Sequence, residues 1–251
     1  MITPEIISRL AEMSGALAVA MLLSLSPRLA NVPVVGFKYP QRETNYAILI
    51  SAFLLIFGSL FYFFGANWLQ AEVLNLDPSL TILLRLAFAA LVGVLVVVVA
   101  TIYRTQPFRS MGWHKNLLRP ALQFSLALVL LTLFLQGQFL TLFSGVPKSS
   151  LITLFLCLVI ALSEESAFRG YIQMRLVSNW GKYWGWAITS ILYFVWRLPF
   201  LTVYGWGTQT FWITGGLLLL QSFLLGWIMQ KSRHVLVPAL YHAFSMWIAF
   251  L

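Results

Sequence analysis

The sequence has very few charged residues. Asp, Glu, Lys and Arg make up 9% of the 251 residues, whereas a soluble domain carries about 25%. Hydrophobic residues make up 60%, and the mean hydropathy is +0.87. These values exclude a protein whose main solvent is water, and they leave no polar stretch long enough for a separate domain outside a membrane. The predicted fold class is all-α, a polytopic transmembrane helical bundle.

The sequence has a single cysteine, and its start does not have the pattern of a cleavable signal sequence. The single cysteine, Cys157, lies within an apolar run, which excludes an internal disulfide and a cysteine metal cluster. Glu5, Arg9 and Glu12 precede the first apolar run, in place of the cationic start and small-residue cleavage site of a signal peptide. We therefore expect that run to be retained.

The apolar runs predict about eight membrane spans of roughly 20 residues each. They cover residues 10–26, 44–65, 80–103, 120–143, 149–177, 183–203, 211–230 and 235–251. The first is short and carries Glu12, so an interfacial helix is the alternative for it. Arg85, early in the third span, can snorkel toward the interface. The predicted domains are N-terminal helices over residues 1–148 and a four-helix core over residues 149–251.

The basic residues lie mainly in alternate connections between these spans, and the net charge is +9. The four groups are Arg28, Lys38 and Arg42; Arg104, Arg109, Lys115 and Arg119; Arg175 and Lys182; and Lys231 and Arg233. The positive-inside rule makes these loops cytoplasmic in a cell or inner membrane. The loops are short and lack interleaved stacking aromatics, so we expect membrane lipids as partners and no nucleic acid.

An ionisable side chain within a membrane span costs free energy, so its presence suggests a function. The run Ser-Glu-Glu-Ser-Ala-Phe-Arg-Gly is therefore the best candidate site. On a helix Glu165 and Arg169 share a face and can pair, while Glu164 points about 100° away. A carboxylate in such surroundings can act as a general base on water. A buried ion-pair cluster that holds helices together is the alternative, and these residues alone do not decide between the two.

Three motifs follow one another along the chain: Glu164-Glu165-x-x-x-Arg169-Gly170, then Leu192-Tyr193-Phe194-Val195-Trp196-Arg197-Leu198-Pro199, then Pro238-Ala239-Leu240-Tyr241-His242-Ala243. Together they resemble the CAAX-protease and bacteriocin-processing (CPBP) family of intramembrane proteases. The resemblance implies a glutamate-activated water that attacks a peptide bond in a membrane cavity. It makes Glu164 the general base, Glu165 and Arg169 its supporting pair, and His242 the histidine of the third motif.

Two positions depart from the family pattern. Arg197 stands where the second motif has histidine, and Met246 stands where the third motif has Asn or Asp. A guanidinium stays protonated and has no acceptor, so Arg197 cannot replace an imidazole. It can pair with Glu164 or Glu165 and weaken the carboxylate as a base. In the alternative, Arg197 stabilises the oxyanion while Glu164 and His242 move protons.

No cofactor or metal is predicted. His114 is expected in a cytoplasmic loop and His234 between the last two spans, as interfacial residues without catalytic duty. Only His242 is then placed beside Glu164, whereas zinc needs three or four ligands.

The sequence leaves three hypotheses for function. The favoured one is a catalytically impaired descendant that acts as a binding or assembly protein in the membrane, with membrane-protein or lipidated-peptide partners. The second is an active endopeptidase for prenylated, peptide or membrane-protein substrates. The third is a carrier or channel, which the sparse polar residues of the first four spans do not favour.

Overall fold

The computed structural model describes residues 4–30, 36–60, 62, 86–87, 90–91 and 93–250. Over these residues the chain is all-α and has no strand, which confirms the predicted fold class. The helices are α1 (Pro4–Ser24), α2 (Pro27–Ala30), α3 (Pro40–Leu60), α4 (Gly93–Tyr103), α5 (Leu118–Leu135), α6 (Thr141–Ser144), α7 (Lys148–Trp180), α8 (Lys182–Leu201), α9 (Gln209–Ser232) and α10 (Leu236–Trp247). Pro4, Pro27 and Pro40 each begin a helix, where the missing N–H costs nothing.

Five described helices are long and apolar enough to cross a membrane: α1, α3, α5 with its preceding turn, α7 and α9. The predicted count of eight is not confirmed. Helix α10 has 12 residues, about 18 Å of helix, against a hydrocarbon core of about 30 Å. For the third predicted span the structure describes mainly its end, as α4, and Arg85 lies outside the described residues.

The short helix α10 lies in the middle of the bundle and packs against α7 and α5. Eight of its residues are buried, including His242, because it is apolar around most of its circumference. Pro238 falls in its first turn, where backbone N–H groups have no partner within the helix. The central position of α10 brings the third motif next to the first.

Helix α7 runs for 33 residues and changes its winding at the first motif. It is α-helical over Lys148–Glu165, a π-helix over Ser166–Gln173, and α-helical again over Met174–Trp180. The π segment begins directly after the two glutamates, and such segments occur frequently at functional sites. Gly181, at a φ of +82°, then reverses the chain into α8, which returns the second motif to the same level.

The N-terminal helices pack against the C-terminal ones. Helix α1 contacts α5 and α9, and α3 contacts α7 and α8. Glu12 is fully buried on α1 and accepts hydrogen bonds from Arg9 at 3.2 Å and Gln136 at 2.7 Å. The predicted division at residues 148 and 149 stays a prediction.

Candidate functional site

Helices α7, α8 and α10 bring the residues of the three motifs into one buried cluster. This glutamate cluster consists of Glu164, Glu165, Arg169, Tyr193, Trp196, Arg197 and His242, and each member is at most 6% exposed. All five candidate site residues taken from the sequence are therefore in one place. Tyr193 and Trp196 complete the cluster.

Glu164 accepts three hydrogen bonds, which involve both of its carboxylate oxygens. Arg197 Nη2 donates to Oε2 at 2.6 Å, and the Tyr193 hydroxyl donates to the same oxygen at 2.9 Å. The Trp196 indole donates to Oε1 at 3.0 Å. A carboxylate has about four lone-pair positions, so three of them are already taken by the protein.

Glu165 lies between Arg169 and His242, as the helical spacing predicted for its arginine partner. Its Oε2 is 3.3 Å from Arg169 Nε, and its Oε1 is 3.1 Å from His242 Nδ1. Arg169 also donates through Nη2 to the carbonyl and hydroxyl of Ser222, at 2.8 and 2.9 Å. Its guanidinium lies 5.0 Å from the centre of the Tyr193 ring, a cation–π distance. Arg169 therefore ties α7 to α8 and α9.

Arg197 occupies the position where the second motif has histidine, and its side chain contacts Glu164, His242 and Met246. Besides Glu164, its Nη2 is 3.5 Å from His242 Nε2 and 3.7 Å from Met246 Sδ. Its Nε donates to the Tyr193 hydroxyl oxygen at 3.1 Å. One guanidinium thus joins both positions that depart from the family pattern.

Both ring nitrogens of His242 contact other members of the cluster. Nδ1 lies 3.1 Å from Glu165 Oε1, and Nε2 lies 3.3 Å from the Tyr193 hydroxyl and 3.5 Å from Arg197 Nη2. Around this ring the cluster holds two carboxylates and two guanidiniums, whose formal charges cancel.

Two features of the site were missed by the sequence reasoning. Tyr193 and Trp196 had no assigned role, although Tyr193 stands four residues before Arg197, on the same helix face. The π winding from Ser166 was not predicted either. No composition or spacing signal in the sequence marks it.

A second buried acid lies outside the predicted site, at the start of α3. The Glu43 cluster consists of Glu43, Arg104, Gln106, Tyr171 and Arg175. Arg104 donates to both carboxylate oxygens of Glu43, at 2.5 and 3.2 Å, and Arg175 Nε donates at 3.0 Å. Gln106 Nε2 donates a fourth hydrogen bond to Glu43 at 3.1 Å, and Gln106 Oε1 accepts one from Arg175.

The burial of Arg175 corrects the sequence assignment of this residue to a basic loop. It lies in the last part of α7 and is fully buried, with its guanidinium 3.5 Å from the centre of the Tyr171 ring. Glu43 neutralises it from another helix, a partner that hydropathy does not reveal.

His234 also differs from expectation. It was predicted as an interfacial residue, but it is 1% exposed, and its Nδ1 accepts a hydrogen bond at 3.1 Å from the N–H of Leu236, the first residue of α10. Burial lowers its pKa to about 4, with a smaller contribution from His114. The pKa of His114 is also lowered, first by burial and then by Arg109 and Arg233.

In the described part of the chain no three His, Cys, Asp or Glu side chains are grouped so that they could hold a metal ion. Glu164, Glu165 and His242 are instead bound to arginine, tyrosine and tryptophan donors and to one another.

Comparison with known proteins agrees with the motifs. Residues 146–248 match the family model described as type II CAAX prenyl endopeptidase Rce1-like. No curated protein and no solved structure matches the chain. Residues 146–248 are therefore similar to the Rce1-like family, in agreement with the resemblance of the three motifs to the CPBP family.

Proposed function

We propose that this integral membrane protein is a catalytically impaired member of its family, which acts as a binding or assembly protein in the membrane. One observation carries the proposal. Arg197 Nη2 lies 2.6 Å from Glu164 Oε2, so a permanent cation holds the carboxylate that the family resemblance makes the general base.

The contacts of Glu164 argue against its use as a base. A general base must accept a proton from a water that is also aligned with the substrate carbonyl. Glu164 is 2% exposed and is bound by Arg197, Tyr193 and Trp196. These donors take three of its roughly four lone-pair positions, so at most one remains for a water in this buried site.

The two substituted positions lack the side chains that the family motifs place there. Arg197 cannot accept a proton, and Met246 offers neither the donor nor the strong acceptor of an Asn or Asp. An oxyanion donor must be free to receive the developing charge. Arg197 is instead bound to Glu164 and to the Tyr193 hydroxyl, which argues against the oxyanion role as well.

The rival function, intramembrane endoproteolysis, is supported by what remains of the family site. Glu164, Glu165, Arg169 and His242 lie together, and His242 Nδ1 is oriented by Glu165 at 3.1 Å. This orientation would suit a histidine that moves protons through Nε2. The substrates would be prenylated chains, as the family description suggests, or the peptide or membrane-protein chains that the motif resemblance implies.

Activity of three matched proteins separates the two functions. The unaltered protein should not cleave prenylated or unmodified peptide substrates. The double variant Arg197→His with Met246→Asn restores both family residues and should gain cleavage. The same double variant with Glu164→Gln should lose it again. Cleavage by the unaltered protein that Glu164→Gln abolishes would overturn the proposal in favour of the protease.

We further propose that the basic loops face the cytoplasm. Phe108→Cys, beside Arg109, should react with an impermeant thiol reagent from the cytoplasmic side, and Trp206→Cys, beside Gly207, from the other. Both positions are more than 60% exposed, while the native Cys157 is fully buried, which keeps background labelling low. Labelling of both positions from one side would refute this topology.

A further inference from the structure

A cavity of about 250 Å³ opens beside the Glu43 cluster, at the start of α3. Its lining comes from residues 36–39 and Glu43 on one side and from residues 106, 107, 109 and 110 on the other. Drug-sized ligands occupy about 300–1,000 Å³, so this space suits a single polar group. The glutamate cluster and the proposed function play no part in it.

The charge around this cavity is positive. Among the described residues that line it, Glu43 is the single carboxylate, and it accepts four hydrogen bonds, from Arg104, Gln106 and Arg175. Arg104 and Arg175 together already exceed that charge by one. Lys38 and Arg109 add two more positive charges at the rim, where both are exposed, and neither forms an ion pair within the described residues.

Unused hydrogen-bond donors lie at the same cavity. Ser110 is 6% exposed, and among the described residues its hydroxyl has no hydrogen-bond partner. The first turn of α3 follows the lining residue Tyr39 along the chain, and the N–H groups of its first residues have no partner within the helix. A helix start of this kind attracts anions, because its amides and its dipole both favour negative charge.

We propose that this cavity binds a phosphate group, held by Lys38, Arg109 and Ser110 beside the start of α3. Phosphate offers acceptors for all of these donors at once. Two sources carry such a group, a phospholipid headgroup and soluble inorganic phosphate. Tyr39 and Phe108, which flank the cavity, are 57% and 61% exposed. Exposed aromatics of this kind are typical of the membrane interface, where phospholipid headgroups lie.

The test measures binding of three probes to the full chain in detergent, by native mass spectrometry. The probes are phosphatidylglycerol, a diacylglycerol with the same chains but no phosphate, and inorganic phosphate. Phosphatidylglycerol should bind more tightly than the diacylglycerol. The double variant Lys38→Gln with Arg109→Gln should weaken phosphatidylglycerol binding about thirtyfold, since each basic residue near a surface contributes about 1 kcal/mol.

A matched control removes the same charge elsewhere. Lys115 and Arg119 are also exposed and do not line the cavity, so Lys115→Gln with Arg119→Gln should change binding by less than about threefold. Ser110→Ala changes no charge and should weaken binding about fivefold through one lost hydrogen bond. Equal losses in the two double variants, or no loss with Ser110→Ala, would overturn the site.

The probes also identify the source of the phosphate. Displacement of phosphatidylglycerol by millimolar inorganic phosphate, with the same dependence on Lys38, Arg109 and Ser110, would assign the site to soluble phosphate. Retention of phosphatidylglycerol under those conditions would assign it to a lipid headgroup. Equal binding of the diacylglycerol would show that the acyl chains account for the binding, and the proposal would be wrong.

Discussion

The glutamate cluster and the Glu43 cluster are both built from buried carboxylates and arginines, but their charges balance differently. In the glutamate cluster two carboxylates meet two guanidiniums, and His242 contacts Glu165 through Nδ1. In the Glu43 cluster one carboxylate meets two guanidiniums beside an open cavity. A buried pair of an acid and an arginine is thus compatible with a structural core and with a binding site. The balance of charge and the access to it distinguish a structural core from a binding site.

The largest effect on stability is expected from a substitution that removes one charge from the glutamate cluster. Glu165→Gln should destabilise the protein by about 3–5 kcal/mol, because it leaves the fully buried Arg169 without its counter-ion. The expression level and thermal unfolding of the purified protein in detergent measure this loss. The exposed Glu5→Gln is the matched control and should change stability by less than about 0.5 kcal/mol. Unchanged stability of Glu165→Gln would mean that the pair contributes nothing.

The same substitution in the other cluster should cost less. Glu43→Gln should destabilise the protein by about 2–3 kcal/mol, because Arg175 loses its counter-ion but keeps its hydrogen bonds to two backbone carbonyls. The Glu43 side chain is also 11% exposed, against 0% for Glu165. A loss as large as that of Glu165→Gln would show that the two clusters do not differ as their charge balance indicates.

The spacing of charged residues within one helix was enough to predict part of the site. The separation of Glu165 and Arg169 predicted their ion pair, and the three motifs predicted which residues would meet. The π winding that begins at Ser166 keeps this pair within 3.3 Å. The helical argument therefore succeeded although the winding it assumed is not the one observed.

Contacts between distant helices could not be predicted in the same way. Arg197 was expected to pair with one of two glutamates, and only packing selects Glu164 and adds Trp196 to its other oxygen. Arg175 was taken for a loop residue because it stands near the end of an apolar run. Its partner Glu43 is 132 residues away, and a single sequence carries no signal that links them.

Helix α3 contacts both clusters, and Gly58 tests its contact with the glutamate cluster. Glu43 lies in its first turn, while a Cβ on Gly58 would lie 1.7 Å from the ring of Trp196, which donates to Glu164. Gly58→Ala should therefore destabilise the protein by about 1–2 kcal/mol, since overpacking outweighs the gain in helix propensity. Thermal unfolding in detergent again measures it.

Gly216→Ala is the control for this substitution. No heavy atom lies within 4 Å of a Cβ at Gly216, so alanine there should be neutral or stabilise α9 by about 0.5–1 kcal/mol. A similar loss in both variants would mean that helix bending, and not contact with Trp196, causes the effect.

The smallest expected effect concerns the segment between the two clusters. His234 packs edge-on against Trp113, with ring centroids 5.5 Å apart, and the Trp113 indole donates at 3.3 Å to Ser166, next to Glu165. The Ser110 carbonyl, in the preceding turn, accepts a hydrogen bond from Arg175 at 3.3 Å. Protonation of His234 at Nδ1 would remove the acceptor of the Leu236 N–H at the start of α10, between the two clusters.

The folded pKa of His234, about 4, lies below the unfolded value of about 6.5, so the unfolded chain binds the proton first. The stability that His234 contributes is therefore complete above about pH 6.5 and is lost as the pH falls toward 4. Between about pH 7 and about pH 5.5 the protein should lose about 1 kcal/mol. His234→Gln should flatten this part of the stability profile, and His114→Gln, at a half-buried histidine, should flatten it less.

The same pH profile tests whether the two clusters are coupled. If Glu165→Gln and Glu43→Gln keep the slope of the unaltered protein, the acid-sensitive contact is independent of both clusters. A slope that disappears in either variant would show that the clusters are coupled through it.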